Sequence, residues 1–141
     1  MLRMTRLLPS LAAVALLAAC AGPQSIAHET GVDLPEALQS DPQAVFDAGM
    51  GAAWDDDRGS LVVVVYGSSS CAPVPTDLTV ADPRTLALTF AQSPNNPCTA
   101  DLAPTTYRFG TPSGVGDGDV VLTVTFDGDG ETSESTVPIL E

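Results

Sequence analysis

"TLALTFA", residues 85 to 91, is the stretch that decides the fold. Leu86, Leu88 and Phe90 alternate with Thr85, Ala87 and Thr89, and a period of two puts the three large apolar side chains on one face of an extended chain. The same period returns in Val120, Leu122, Val124 and Phe126, set against Val121, Thr123 and Thr125. Besides Thr85 to Ala91 and Val120 to Phe126, strands are predicted over Ala52 to Trp54, Leu61 to Tyr66, Thr76 to Ala81, Thr105 to Phe109 and Thr136 to Leu140. About seven short strands with turn residues between them, and no long helical stripe, predict an all-β domain, a small antiparallel β-sandwich or barrel. "LVVVVY", residues 61 to 66, does not alternate, so that strand is expected to be central and covered on both faces. Pro138 lacks a donor for a ladder, which assigns the last strand to an edge or a bulge.

The N-terminus follows a different rule. Arg3 and Arg6 precede an apolar run from Leu7 to Ala19, the pattern of an export signal, and the run is shorter than the roughly 20 residues a spanning helix needs. Leu17-Ala18-Ala19-Cys20 resembles the bacterial lipobox, in which small residues before a cysteine admit the lipoprotein signal peptidase. The resemblance implies cleavage after residue 19 and a diacylglyceryl thioether, palmitate among its acyl chains, on Cys20. Two acyl chains suffice for stable anchoring where one is marginal. Residues 1–19 are thus expected to be a signal peptide, residues 20–40 a lipidated cysteine with a flexible tether, and residues 41–141 an extracytoplasmic β domain. Ser40 and Gln43 suggest a capping box, with Pro42 in the first turn of a short helix.

Lipidation of Cys20 leaves Cys71 and Cys98, which in an oxidising compartment are expected to pair. The loop so closed corresponds to about 3.6 kcal/mol in the chain-entropy description of disulfides. Two predicted strands separate these cysteines, so in an up-and-down order both fall at one end of the domain. The same counting sends Asp55, Asp56, Asp57, Asp82, Asp117 and Asp119 to the opposite end, and Asp127 and Asp129 to the disulfide end.

Beyond residue 19 stand three arginines (Arg58, Arg84, Arg108), no lysine and 18 acids, a formal charge of −15. No basic face can be assembled from three cations, which excludes nucleic acid as a partner. The acids keep a tethered domain soluble; their sharper use would be divalent-cation binding.

Three stretches invite chemistry. "FDGDGETSE", residues 126 to 134, resembles the start of a calcium loop but has Thr132 where glycine is required and Pro138 where a bidentate glutamate is required, so it reads as a hairpin turn. "WDDDRGS", residues 54 to 60, reads as a turn after an aromatic anchor, with Asp55, Asp56 and Asp57, joined by Asp117 and Asp119, as the alternative cation ligands. "YGSSSCAPVP", residues 66 to 75, gathers Ser68, Ser69 and Ser70. The one histidine, His28, falls in the expected tether, and no lysine exists to activate a serine, so neither catalysis nor a zinc site is expected, and no cofactor. The serines instead suggest hydroxyls and amides satisfying one another beside the disulfide. With Asn95 in the "QSPNNPCTADLA" segment, residues 92 to 103, they form a candidate binding loop.

Gly67-Ser68-Ser69-Ser70-Cys71 with Pro73 and Pro75, and Cys98-Thr99-Ala100-Asp101-Leu102-Ala103-Pro104-Thr105-Thr106, resemble small actinobacterial lipoproteins of uncharacterised function, over Trp54 to Phe109. That resemblance implies the anchor, the disulfide and the β domain, and carries no activity with it. The expectation is a lipid-anchored domain on the extracytoplasmic face of the cell membrane that binds an envelope protein or ligand, or supports the envelope, without catalysis. A calcium-dependent or small-ligand-binding module using the acidic loops is the alternative.

Overall fold

The computed structural model describes residues 22–55 and 57–141; the signal segment, Cys20 and Asp56 lie outside the described residues. In chain order the elements are β1 (Glu29–Gly31), α1 (Glu36–Gln39), α2 (Pro42–Ala48), β2 (Met50–Asp55), β3 (Ser60–Gly67), β4 (Val74–Asp82), β5 (Thr85–Ala91), β6 (Ala103–Gly110), β7 (Val121–Asp127) and β8 (Thr132–Leu140). The strands form one sheet in the order β1-β6-β3-β2-β8-β7-β5-β4, curled into a half-barrel. The all-β class and the Cys71–Cys98 disulfide match the expectation, the latter with a Cα–Cα distance of 5.4 Å.

The sheet is mixed, and this corrects the expected antiparallel arrangement: β2 runs parallel to β8, and β5 parallel to β7. The reason is simple. Strand direction still reverses at every step along the chain, but β2 and β8, and β5 and β7, are separated by an even number of steps. Neighbours chosen that way must point the same way. The two ends therefore remain as counting assigned them, with Gly67, Val74, Ala91, Ala103 and Asp127 at the disulfide end and Asp55, Ser60, Asp82 and Gly110 at the other. An eighth strand, β1, pairs with β6 through Glu29↔Arg108, Thr30↔Tyr107 and Gly31↔Thr106.

"LVVVVY" is buried on both faces, as its lack of alternation predicts. Leu61, Val63 and Val65 enter the main core with Leu86, Leu88, Phe90, Leu122 and Val124. Val64 on the other face joins Ala53 beneath Leu38 of α1 and Val45 of α2. Gly51 permits that second layer, because a Cβ there would lie 2.9 Å from Val45 Cγ1 and 3.2 Å from Leu38 Cδ1. Pro138 does not mark an edge, which corrects that expectation: β8 lies between β2 and β7, with Pro138 opposite Val121, and the missing donor is tolerated because pairing with β2 begins only at Ile139.

The flexible tether is a second correction. Residues 26–38 are folded onto the domain. Ile26 N–H donates to Pro75 O at 2.9 Å, Ala27 packs on the main core, and His28 N–H donates to Arg108 O at 2.9 Å. The segment thereby crosses the seam between the edge of β4 and the edge of β6. Its backbone satisfies groups that the open half-barrel would leave exposed, and Leu38 gives it a buried apolar end. Composition alone hides this, since the large aliphatic side chains of the segment, Ile26, Val32, Leu34 and Leu38, are scattered among polar and small residues. The helix cap also shifts by one residue: Asp41, not Ser40, caps α2, its carboxylate accepting from Ala44 N–H at 3.0 Å, with Pro42 in the first turn.

Candidate functional site

At the end opposite the disulfide, the β2–β3 turn carries Asp57 and Arg58 in the left-handed region, with φ of 52° and 66°. Such a pair is the backbone of a tight hairpin whose twist matches the strands, a geometry usually left to Gly, Asn or Asp. The turn aims the Arg58 guanidinium back over the Trp54 ring, 5.4 Å from its centroid. From there Arg58 donates to Gly116 O at 3.2 Å, to Gly118 O at 2.8 Å, and to both carboxylate oxygens of Glu141. The bond to Glu141 raises the Arg58 pKa and lowers that of Glu141, with Asp117 and Asp119 adding to the negative field on Arg58. One cation thus ties the turn, the 111–120 loop and the end of β8 together.

Beside this tie lies a cavity of about 540 Å³, bordered by Trp54, Asp55, Asp57, Arg58 and Glu141 on the sheet side and by Pro35, Glu36, Ala37 and Ser40 of the α1 region on the other. Its volume is in the range of small-molecule sites. The Trp54 indole is buried, and its Nε1 meets no acceptor among the described residues. Asp55 is held by Arg108 at 2.6 Å, and Arg108 also reaches Glu29 at 3.3 Å. Asp119 lies 3.9 Å from Arg84 and is fully exposed. Among the described residues no three His, Cys, Asp or Glu side chains converge in a way that could hold a metal ion. The structure thus brings Asp55, Asp57, Asp117 and Asp119 to one end, around arginines and not around a common point.

At the disulfide end, Ser68, Ser69, Ser70 and Asn95 do come together. The Ser68 and Thr99 hydroxyls are 2.9 Å apart, Thr99 N–H donates to Ser70 Oγ at 2.9 Å, and Asn95 Nδ2 donates to Ser70 O at 2.7 Å. Ser69 N–H donates to Asp101 Oδ1 at 3.1 Å, and Thr99 Oγ1 donates to the same carboxylate. These bonds, from Ser69 first and Thr99 next, hold the Asp101 pKa down at about 2. The serines are therefore engaged in a polar knot across the disulfide. His28 is part of the domain and not of a tether, but its ring lies by Gly110, a strand length from the serines, so no Ser–His pair forms.

Sequence reasoning missed Arg58, Glu141, Thr99 and Asp101. A lone cation inside an acidic turn was the available signal for Arg58; the other three become visible only when the topology joins distant segments. The stretch Phe126 to Glu134 is the hairpin turn it was read as, with Gly128 N–H donating to Glu131 O at 2.9 Å. The chain matches no family model, no curated protein and no solved structure.

Proposed function

We propose that this chain is a lipid-anchored extracytoplasmic domain that acts by binding or by supporting the envelope, without catalysis, in the manner of the small actinobacterial lipoproteins it resembles. The observation that carries the reading is the pairing of Cys71 with Cys98, which leaves Cys20, at the end of a signal-like apolar run, as the one cysteine without a disulfide role. Two further facts support it. Four shifted groups owe their shifts to features that also hold the fold: Asp101 to the polar knot, Arg58 and Glu141 chiefly to each other, and Tyr107, pushed up to about 12, to burial. The Tyr107 hydroxyl itself donates to Pro73 O. The test is Cys20→Ser: lipid labelling and flotation with membranes should be lost, and a variant that is still lipidated and membrane-bound would overturn the reading.

The second reading, a small-ligand or calcium-dependent module, rests on the Trp54 cavity. Titration with a calcium salt or with small polar ligands should then change Trp54 fluorescence and raise the melting temperature. An unchanged melt across both would remove it.

A further inference from the structure

We propose that the disulfide end of the half-barrel is the face that rests on the lipid surface, so that the Trp54 cavity opens away from the membrane; this rests on reading Cys20 as the anchor. The first argument is the length of chain between anchor and fold. Gly22 already lies against the disulfide-end crossover, since a Cβ on it would sit 3.5 Å from Pro94 Cβ. Two residue steps separate Gly22 from Cys20, a reach of about 7 Å at full extension. The chain is pinned again at the same end by the bond from Ile26 N–H to Pro75 O. Trp54 pairs with Leu61, six residues along β3 from Gly67, which sets it about 20 Å from that end. An anchor on so short a leash holds the disulfide end near the bilayer and cannot bring the other end there without unfolding residues 22–31.

Side-chain character points the same way. Of the large apolar side chains left exposed, Val32 at 66% and Leu102 at 57% are the most open, and both flank the disulfide half of β6. Ile26 sits beside Pro75, and Phe46 packs on Tyr66, also toward that end. The arginines gather elsewhere: Arg58, Arg84 and Arg108 are all engaged at the opposite end. The lipid contact is therefore apolar and interfacial, not a cationic grip on anionic headgroups. Asp127, Asp129 and Glu131 on the β7–β8 turn fit zwitterionic lipid and disfavour anionic lipid.

The experiment uses the full lipidated chain in phosphatidylcholine vesicles carrying a headgroup nitroxide lipid. Trp54 is the single tryptophan, so wild-type fluorescence reports the opposite end directly. Weak quenching is expected for wild type, and several-fold stronger quenching for Leu102→Trp placed in a Trp54→Phe background. As a readout free of substitutions, the nitroxide should broaden the wild-type amide resonances of Ser69 and Leu102 far more than those of Arg58 and Gly116. If the chain floats with the vesicles but Trp54 is quenched as strongly as a tryptophan at 102, or the broadening is uniform, the orientation is wrong while the anchor stands. If the wild-type chain does not float at all, the anchor reading fails and the proposal falls with it.

Discussion

Arg58 occupies a left-handed position where glycine would be relaxed, and the turn keeps an arginine there because the side chain does what glycine cannot. It covers Trp54, ties two carbonyls of the 111–120 loop and pairs with Glu141. Replacing it separates backbone from side chain. Arg58→Ala loses every tie and keeps the left-handed Cβ, so it should lower the melting temperature by several degrees; Arg58→Gly should melt above Arg58→Ala, since it removes the backbone strain. Thermal melts of the pair check this. Asp101 gives a pH prediction. Its carboxyl titrates at about 2 in the folded protein against an ordinary 3.8, so its contribution is present above the unfolded value and is lost as pH falls from about 4 toward 2. Wild type should therefore melt above Asp101→Asn at neutral pH, and the difference should vanish near pH 2 in parallel melts.

Among the elements, α1 is four residues long and would not persist alone; it is held by Leu38, which is 3% exposed beneath it. Leu38→Ala should cost about 2–4 kcal/mol in chemical denaturation, whereas a residue in a free tether would cost nothing measurable. Gly51→Ala should also destabilise, because its methyl would collide with Val45. These elements show where the sequence is legible and where it is not. Strands with alternation, such as Leu86-Leu88-Phe90, announce themselves, and so does a strand covered twice, such as Leu61 to Tyr66. β1 does not: Glu29, Thr30 and Gly31 are all exposed, and their place comes from the unpaired edge of β6 that they meet. The order of strands in the sheet was hidden for the same reason, because pairing depends on which edges the curl brings together and not on local pattern. Of the candidate site, the serine loop could be foreseen from Ser68, Ser69 and Ser70 next to a cysteine. Arg58 and Glu141, 83 positions apart, could not.

The molecule as a whole is polarised, with the disulfide, the serine knot and most open apolar side chains at one end, and the three arginines with the cavity at the other. The disulfide should contribute about 3–4 kcal/mol, so Cys71→Ala should lower the melting temperature clearly, and the oxidised native protein should titrate with no free thiol at 71 or 98. Free thiols at both positions would contradict the fold. The bond between Arg58 and Glu141, and the pairing of β2 with Ile139 and Leu140 beside it, have one more consequence, which is kinetic. Loop closures of that span lose the most chain entropy before any contact rewards them, and they set the pace for β topologies that fold in milliseconds to seconds. The β2–β3 hairpin can form as soon as its own residues are available, but it carries an open edge and an unpinned turn until residues 139–141 arrive. A chain so built completes this end of the sheet last, and on the proposed reading as an exported protein that delay keeps the β2 edge open until the final residues are through the membrane.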